Sequence, residues 1–208
     1  MRDYLRRRLR HAKQLLFGYS PEVVSRERWE AMYARDAWSK LGEIGDLAHY
    51  SVILGYCVFF RSKTILDVCC GHGVLTGMLQ AIRYEAYRGV DLSSEAVTKA
   101  RARFENEKTR FFVSDAGTFD PGEKFDTIVF NECLYYFEKP QDLVRQYLRF
   151  LSPGGRIIVS FYDSGGEAAI QRLLERTARV IDRTAVVNDK GQRWMVSVAV
   201  DPAAVPEA

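Results

Sequence analysis

The 208-residue chain is long enough for one domain with short extensions and too short for two full domains. Hydrophobic residues at 47% and charged residues at 27% suit a water-soluble body, and no apolar run approaches the ~18 residues of a membrane-spanning helix. Net charge is +3, yet Arg2, Arg6, Arg7, Arg8, Arg10 and Lys13 against Asp3 place +5 in the first 13 residues and leave −2 for the rest, which argues against a globally basic nucleic-acid binder.

The basic arm lacks a small-residue cleavage site after a short apolar piece, so it is a poor secretory signal, and a cytoplasmic protein is expected. Leu5, Leu9, Ala12, Leu15 and Leu16 recur at helical spacing, making the arm a candidate for peripheral contact with anionic lipid, an anionic substrate or a partner; a solvated helix face is the simpler reading. Cys57, Cys69, Cys70 and Cys133 show no paired CxxC spacing and read as reduced structural thiols rather than metal ligands.

In chain order, Ser20 as N-cap and Pro21 at the first helical position predict a helix to about Ala34, and a second helix follows Asp46. Then come strand Thr64 to Val68, helix Val74 to Ile82, strand Ala86 to Asp91, helix Ser94 to Phe104 and strand Arg110 to Ser114, the alternation of βαβ units on a parallel sheet. Phe125 to Phe130 is a fourth strand, apolar enough to be covered on both faces. Pro140 and Asp142 open a helix that "SPGG", Ser152 to Gly155, closes, and Arg156 to Phe161 is the fifth strand. After a helix Glu167 to Arg176, strands Arg179 to Val187 and Gln192 to Val200 flank the turn "NDKG" as an antiparallel hairpin, and 201–208 is expected to fray.

The loop "CCGHG" after the first strand sits where open α/β sheets bind ligands, and Gly71 and Gly73 let backbone approach one closely. A lone Gly-x-Gly is weak, but Asp91 ends the second strand 18 residues after Gly73, where a carboxylate meets ribose hydroxyls, and Asp115 ends the third, where it can accept from an exocyclic amine. Asp67, at the base of the loop, either holds an ammonium or braces the loop. Together these strand ends suggest a nucleoside-containing ligand.

With those residues in view, the chain resembles the class I S-adenosylmethionine-dependent methyltransferases over about Leu41 to Val200. "LDVCCGHG" resembles the family's first motif, "GVDLS" its ribose-binding acid, "SDA" its adenine-binding acid, "FDTIVFNECLYYF" its fourth-strand motif and "LSPGGRIIVS" its fifth-strand signature. The resemblance implies an α/β three-layer sandwich whose seven-stranded, mostly parallel sheet ends with an antiparallel strand beside the fifth, plus N-terminal helices. It divides the chain into a helical segment 1–45 covering the active site, an S-adenosyl-L-methionine-binding domain 46–200 and a tail. The cofactor set it implies is Tyr33, Tyr50, Asp67, Cys69, Gly71, His72, Gly73, Asp91, Leu92, Asp115, Ala116 and Asn131. Cys69 departs from the family by replacing the first loop glycine. A dinucleotide-dependent oxidoreductase is the weaker alternative, because Thr76 stands where its third glycine belongs and its fold does not end in a hairpin.

Methyl transfer chiefly requires alignment and exclusion of water, so acid–base residues can be few. Glu132 is a candidate base or amine holder, or else a helix cap; His49 has the pKa range of a base but equally suits a structural role; Tyr136 lies one turn beyond Glu132. Trp29, Trp38, Phe161 and Tyr162 are candidate apolar walls or core. Asn131 and Asp163 end suitable strands, but without a carboxylate cluster no metal is expected. The expected acceptor is a small metabolite, saccharide or lipid-linked intermediate, the basic arm suggesting an anionic or membrane-associated one, with oxygen favoured over nitrogen and nucleic acid disfavoured. A non-catalytic cofactor-binding module is the rival from a different class.

Overall fold

The computed structural model describes residues 21–162 and 167–203. The basic arm, the expected cap at Ser20, Asp163 and the last five residues lie outside them. Strands β1 (Thr64–Val68), β2 (Ala86–Asp91), β3 (Thr109–Val113), β4 (Phe125–Asn131), β5 (Leu151–Tyr162), β6 (Arg179–Val187) and β7 (Arg193–Val200) form one sheet in the order β3-β2-β1-β4-β5-β7-β6. The first five run parallel, and β7 inserts antiparallel between β5 and β6.

Alternation along each strand explains the layers. Leu66, Val68, Ile128, Phe130, Ile157 and Val159 point to one face and pack with α5 (Pro140–Leu148) and α6 (Glu167–Glu175). Ile65, Val129 and Ile158 point to the other, against α2 (Leu47–Phe59), α3 (Val74–Leu79) and α4 (Ser94–Phe104). Central strands buried on both faces are why "TILDV" and "FDTIVF" are almost continuously apolar. Among the described residues no helix is long and apolar enough to cross a membrane.

Three boundaries differ from expectation by more than one residue. Helix α1 spans Arg26–Ala34, not Pro21 onward: the Ser25 hydroxyl accepts from Arg28 N–H at 3.3 Å, while Glu22 N–H donates to Tyr135 O at 2.8 Å and holds the preceding residues extended. Helix α3 ends at Leu79 because Ala81 and Ile82 bond three residues back rather than four. "SPGG" does not close α5; it forms a bulge inside β5, where pairing jumps from Leu151–Phe125 to Arg156–Thr127. Gly155 is required there, since a Cβ would lie 2.9 Å from Phe125 O.

One carboxylate ties the N-terminal helix to the sheet layer. Glu30 on α1 accepts from Ser93 Oγ (2.7 Å), Ser94 N (2.8 Å), Ser94 Oγ (2.9 Å) and Glu95 N (3.0 Å), capping α4 from outside. Lys99 of α4 returns bonds to Tyr33 O and to Asp36. Partial burial pushes the Glu30 pKa up, but the donors from Ser93, Glu95 and Ser94 outweigh it and hold the group at about 2, against 4.5 ordinarily. A folded-state pKa below the unfolded one means stabilisation that is complete above 4.5 and lost as the pH falls toward 2. Glu30→Ala is expected to lower stability by about 1–2 kcal/mol, the scale of a lost helix cap. Urea unfolding at neutral pH should show that gap, and it should narrow in acid.

Candidate active site

The carboxyl ends of the parallel strands open into a cavity of about 790 Å³, roofed by α1 and the segment leading to α2 through Trp29, Tyr33, Trp38 and Leu41. Its floor begins with the loop after β1. Cys69, Gly71 and Gly73 all take left-handed conformations, with φ of 62°, 55° and 85°. For Cys69 this costs about 1–2 kcal/mol relative to an ordinary backbone, so the loop keeps a glycine-like turn while carrying a side chain. Its thiol meets that of Cys133 in a hydrogen-bonded contact. Gly71 lines the cavity, and a Cβ there would lie 2.7 Å from Tyr33 Oη. Gly73 is outside the lining residues: it caps α3, and a Cβ would lie 2.8 Å from Phe104 Cδ2. Its lack of a side chain thus serves the packing of α3 on α4.

The remaining residues of the expected cofactor set all line the cavity. Asp91, 8% exposed, accepts Gly71 N–H on Oδ2 and Ser93 N–H on Oδ1, each at 2.9 Å. Burial raises its pKa to about 6 against those donors. Leu92 follows it along the same wall. Asp115 is exposed at the end of β3, with Gly117 N–H on Oδ1 at 2.7 Å, and Ala116 is buried beside it. Asp67, 1% exposed, accepts from Tyr87 Oη on Oδ2 at 2.7 Å, whereas Oδ1 has no partner. Burial pushes its pKa up to about 7. Its brace is therefore Tyr87 on β2, not the N–H groups of the loop. The His72 ring stands edge-on to Tyr33 at 6.1 Å.

A nucleoside laid over β1, β2 and β3 leaves the half of the cavity above β4, β5 and β7 for a second molecule. Asn131 accepts from Ser160 Oγ at 2.6 Å and is hydrogen-bonded to the Tyr50 hydroxyl. Glu132, with φ of 54°, accepts from Ser160 Oγ (2.8 Å), Tyr162 N (2.8 Å) and Tyr135 Oη (3.2 Å). Its carboxylate laces the tips of β4 and β5 together instead of capping a helix, and burial lifts its pKa to about 7. Tyr136 packs edge-on against Trp29 at 4.9 Å. His49 is 2% exposed and stacked on Trp194 at 5.1 Å; neither ring nitrogen has a partner, and burial lowers its pKa to about 4. The structure thus brings His49, Glu132 and Tyr136 to one cavity with the expected nucleoside residues.

Sequence reasoning does not reach Asp46, Gln192 and Trp194, which also line this half. The signal for Trp194 was available: an antiparallel β7 beside β5 must begin where β5 ends, and Trp194 pairs with Tyr162. Glu30 carries no motif at all. Among the described residues no group of three His, Cys, Asp or Glu side chains is placed to hold a metal.

Comparison with known proteins agrees with this geometry. A methyltransferase-domain family model matches residues 2–195. An uncharacterised methyltransferase of Mycobacterium tuberculosis is 30% identical over 112 residues, covering 53% of this chain and 56% of its own, so the chain spans little more than half the length of that relative. Nodulation protein S of Azorhizobium caulinodans is 28% identical over 162 residues, covering 72% and 78%. Among solved structures, the N-methyltransferase NodS of Bradyrhizobium japonicum in complex with S-adenosyl-L-homocysteine superposes with a TM-score of 0.72 over 85% of this chain and 97% of that one, at 18% identity, a likeness of fold.

Gly71→Ala should destabilise the protein by about 2–3 kcal/mol through a left-handed φ and the clash with Tyr33 Oη. In a Tyr33→Phe background, which removes that oxygen, the same change should cost only the backbone part, about 1–2 kcal/mol. A double-mutant cycle by urea denaturation checks the difference.

Proposed function

The chain belongs to the methyltransferase-domain family of the class I, Rossmann-like fold, and from that premise we propose that it transfers a methyl group from S-adenosylmethionine to a small-molecule acceptor. The observation that carries this reading is the convergence of Gly71, Asp91, Asp115 and the unpartnered Asp67 Oδ1 on one cavity at the strand tips. A buried carboxylate oxygen with no donor is costly, and an incoming ammonium or hydroxyl relieves it. Backbone held bare at Gly71 leaves room for close approach.

In this reading Asp91 accepts from the ribose hydroxyls with the lone pairs its backbone donors leave free. Asp115 and Ala116 border the base, and Asp67, Tyr33 and Tyr50 border the amino-acid end. When bound, the cofactor supplies an electrophilic methyl on a sulfonium. The protein's own contribution is positional: Trp29, Trp38 and Tyr136 exclude water from above, and Asn131 and Glu132, locked by Ser160, fix the floor below the acceptor. His49, neutral near pH 7, has one ring nitrogen with a free lone pair to accept a proton or hydrogen bond from the acceptor. The cavity falls within the roughly 300–1,000 Å³ of small-molecule sites, which supports a metabolite, sugar or lipid headgroup.

Calorimetry with S-adenosylmethionine and S-adenosylhomocysteine, followed by a methyl-transfer assay over a broad acceptor panel, tests the proposal. Absence of binding to either nucleoside sinks it; binding without turnover on any acceptor favours a non-catalytic module. Asp91→Ala is expected to weaken S-adenosylhomocysteine binding at least about tenfold, or roughly 1.4 kcal/mol. Because the Asp91 pKa lies at about 6, affinity in the intact protein should also decline as the pH passes below that value and the carboxylate is protonated.

A further inference from the structure

Resting on the methyl-transfer reading of this same cavity, we propose that the acceptor is an amine, cationic in solution, drawn in by Asp46 and seated among aromatic rings. This reverses the sequence-based preference for an oxygen atom and an anionic molecule. Seven of the described residues lining the cavity are acidic, and none of those described is lysine or arginine. Most of the acids are engaged. Asp91 and Glu132 accept backbone and hydroxyl donors, and Asp67 accepts from Tyr87.

Asp46 differs. It sits half-buried at the N-cap of α2, yet its side chain makes no capping bond and no hydrogen bond or salt bridge with any described residue; its backbone N–H donates to Glu43 O at 3.0 Å. Burial raises its pKa, as does neighbouring Glu43, while Lys190 lowers it from outside the lining; Glu132 also feels the charge of Asp46. The helix dipole and Lys190 offset part of the charge of Asp46, whereas Glu43 and Glu132 add negative charge near it, so a second anion is disfavoured beside this carboxylate. An ammonium satisfies it.

The position is on the acceptor side. His49 is one turn along α2 from Asp46, stacked on Trp194, which packs edge-on against Tyr162 at 5.4 Å. Across the opening, Trp38 lies 6.0 Å from Trp29, and its buried Nε1–H has no partner. Aromatic faces beside a carboxylate attract alkylammonium groups more than neutral alcohols and disfavour carboxylates. Once docked, the ammonium loses a proton to water. The free lone pair then forms the N–C bond while the S–C bond breaks, its electron pair remaining on sulfur.

The test uses the full chain with S-adenosylmethionine and matched triplets: benzylamine, benzyl alcohol and benzoate; glucosamine, glucose and glucuronate. Release of S-adenosylhomocysteine and mass of the product give turnover. The amines should raise the melting temperature of the S-adenosylhomocysteine-loaded protein and be the methylated members. Asp46→Asn, which keeps the side chain's size and removes its charge, should remove that shift and raise the amine KM about tenfold, leaving S-adenosylhomocysteine affinity unchanged. Turnover confined to alcohols or acids, no discrimination within the triplets, neither turnover nor stabilisation by the amines, or an amine response unchanged in Asp46→Asn each overturns the inference. Methyl transfer itself survives the first two results; loss of cofactor binding, or turnover on no acceptor at all, removes both.

Discussion

The Asp91 carboxylate joins the backbone of the loop after β1 to the backbone that opens α4. Burying a carboxylate is unfavourable by several kcal/mol unless donors replace its water, and here two N–H groups do so. The exchange fixes the spacing between two strand tips. Other elements then build on it: Tyr33 rests against Gly71, Glu30 grips the residues that follow Asp91, and Cys70 N–H bonds to Val90 O beneath. The cavity exists because these backbone segments are held apart and in register, not because a side chain is missing.

Much of this was legible in the sequence. The limits of β1, β2, α4 and β6 follow from apolar runs and caps, such as Ser93, whose hydroxyl accepts from Ala96 N–H. The terminal hairpin followed from the strand–turn–strand pattern around "NDKG", and the antiparallel strand beside the fifth from the motif resemblance. What escaped depends on contacts far apart in the chain. Pro21 carries a helix-start signal, but the bond from Glu22 to Tyr135 overrides it. "SPGG" carries a helix-stop signal, but Phe125 O decides that the glycines serve a bulge. Asp46 looked like an ordinary cap; that its side chain caps nothing can be seen only with coordinates.

Charge tells the same story of local against global information. The chain is basic overall and strongly so in its first 13 residues, whereas the cavity is acidic among its described residues. Net charge describes the whole surface; recognition depends on the few side chains at the opening. His49 shows the same separation. Its residue type suggests proton chemistry near pH 7, but desolvation keeps it uncharged there, suited to accepting a hydrogen bond rather than carrying positive charge.

Glu30 joins two jobs that the fold might have kept separate. The helix roofing the cavity is fastened to the amides just beyond β2, so lifting that roof strips α4 of its external cap and loosens the neighbourhood of Asp91. Entry from above and retention of a nucleoside below therefore share one equilibrium, and linkage makes the relation mutual. A molecule that held the roof shut would slow the departure of whatever lay beneath it, through the grip of a single carboxylate.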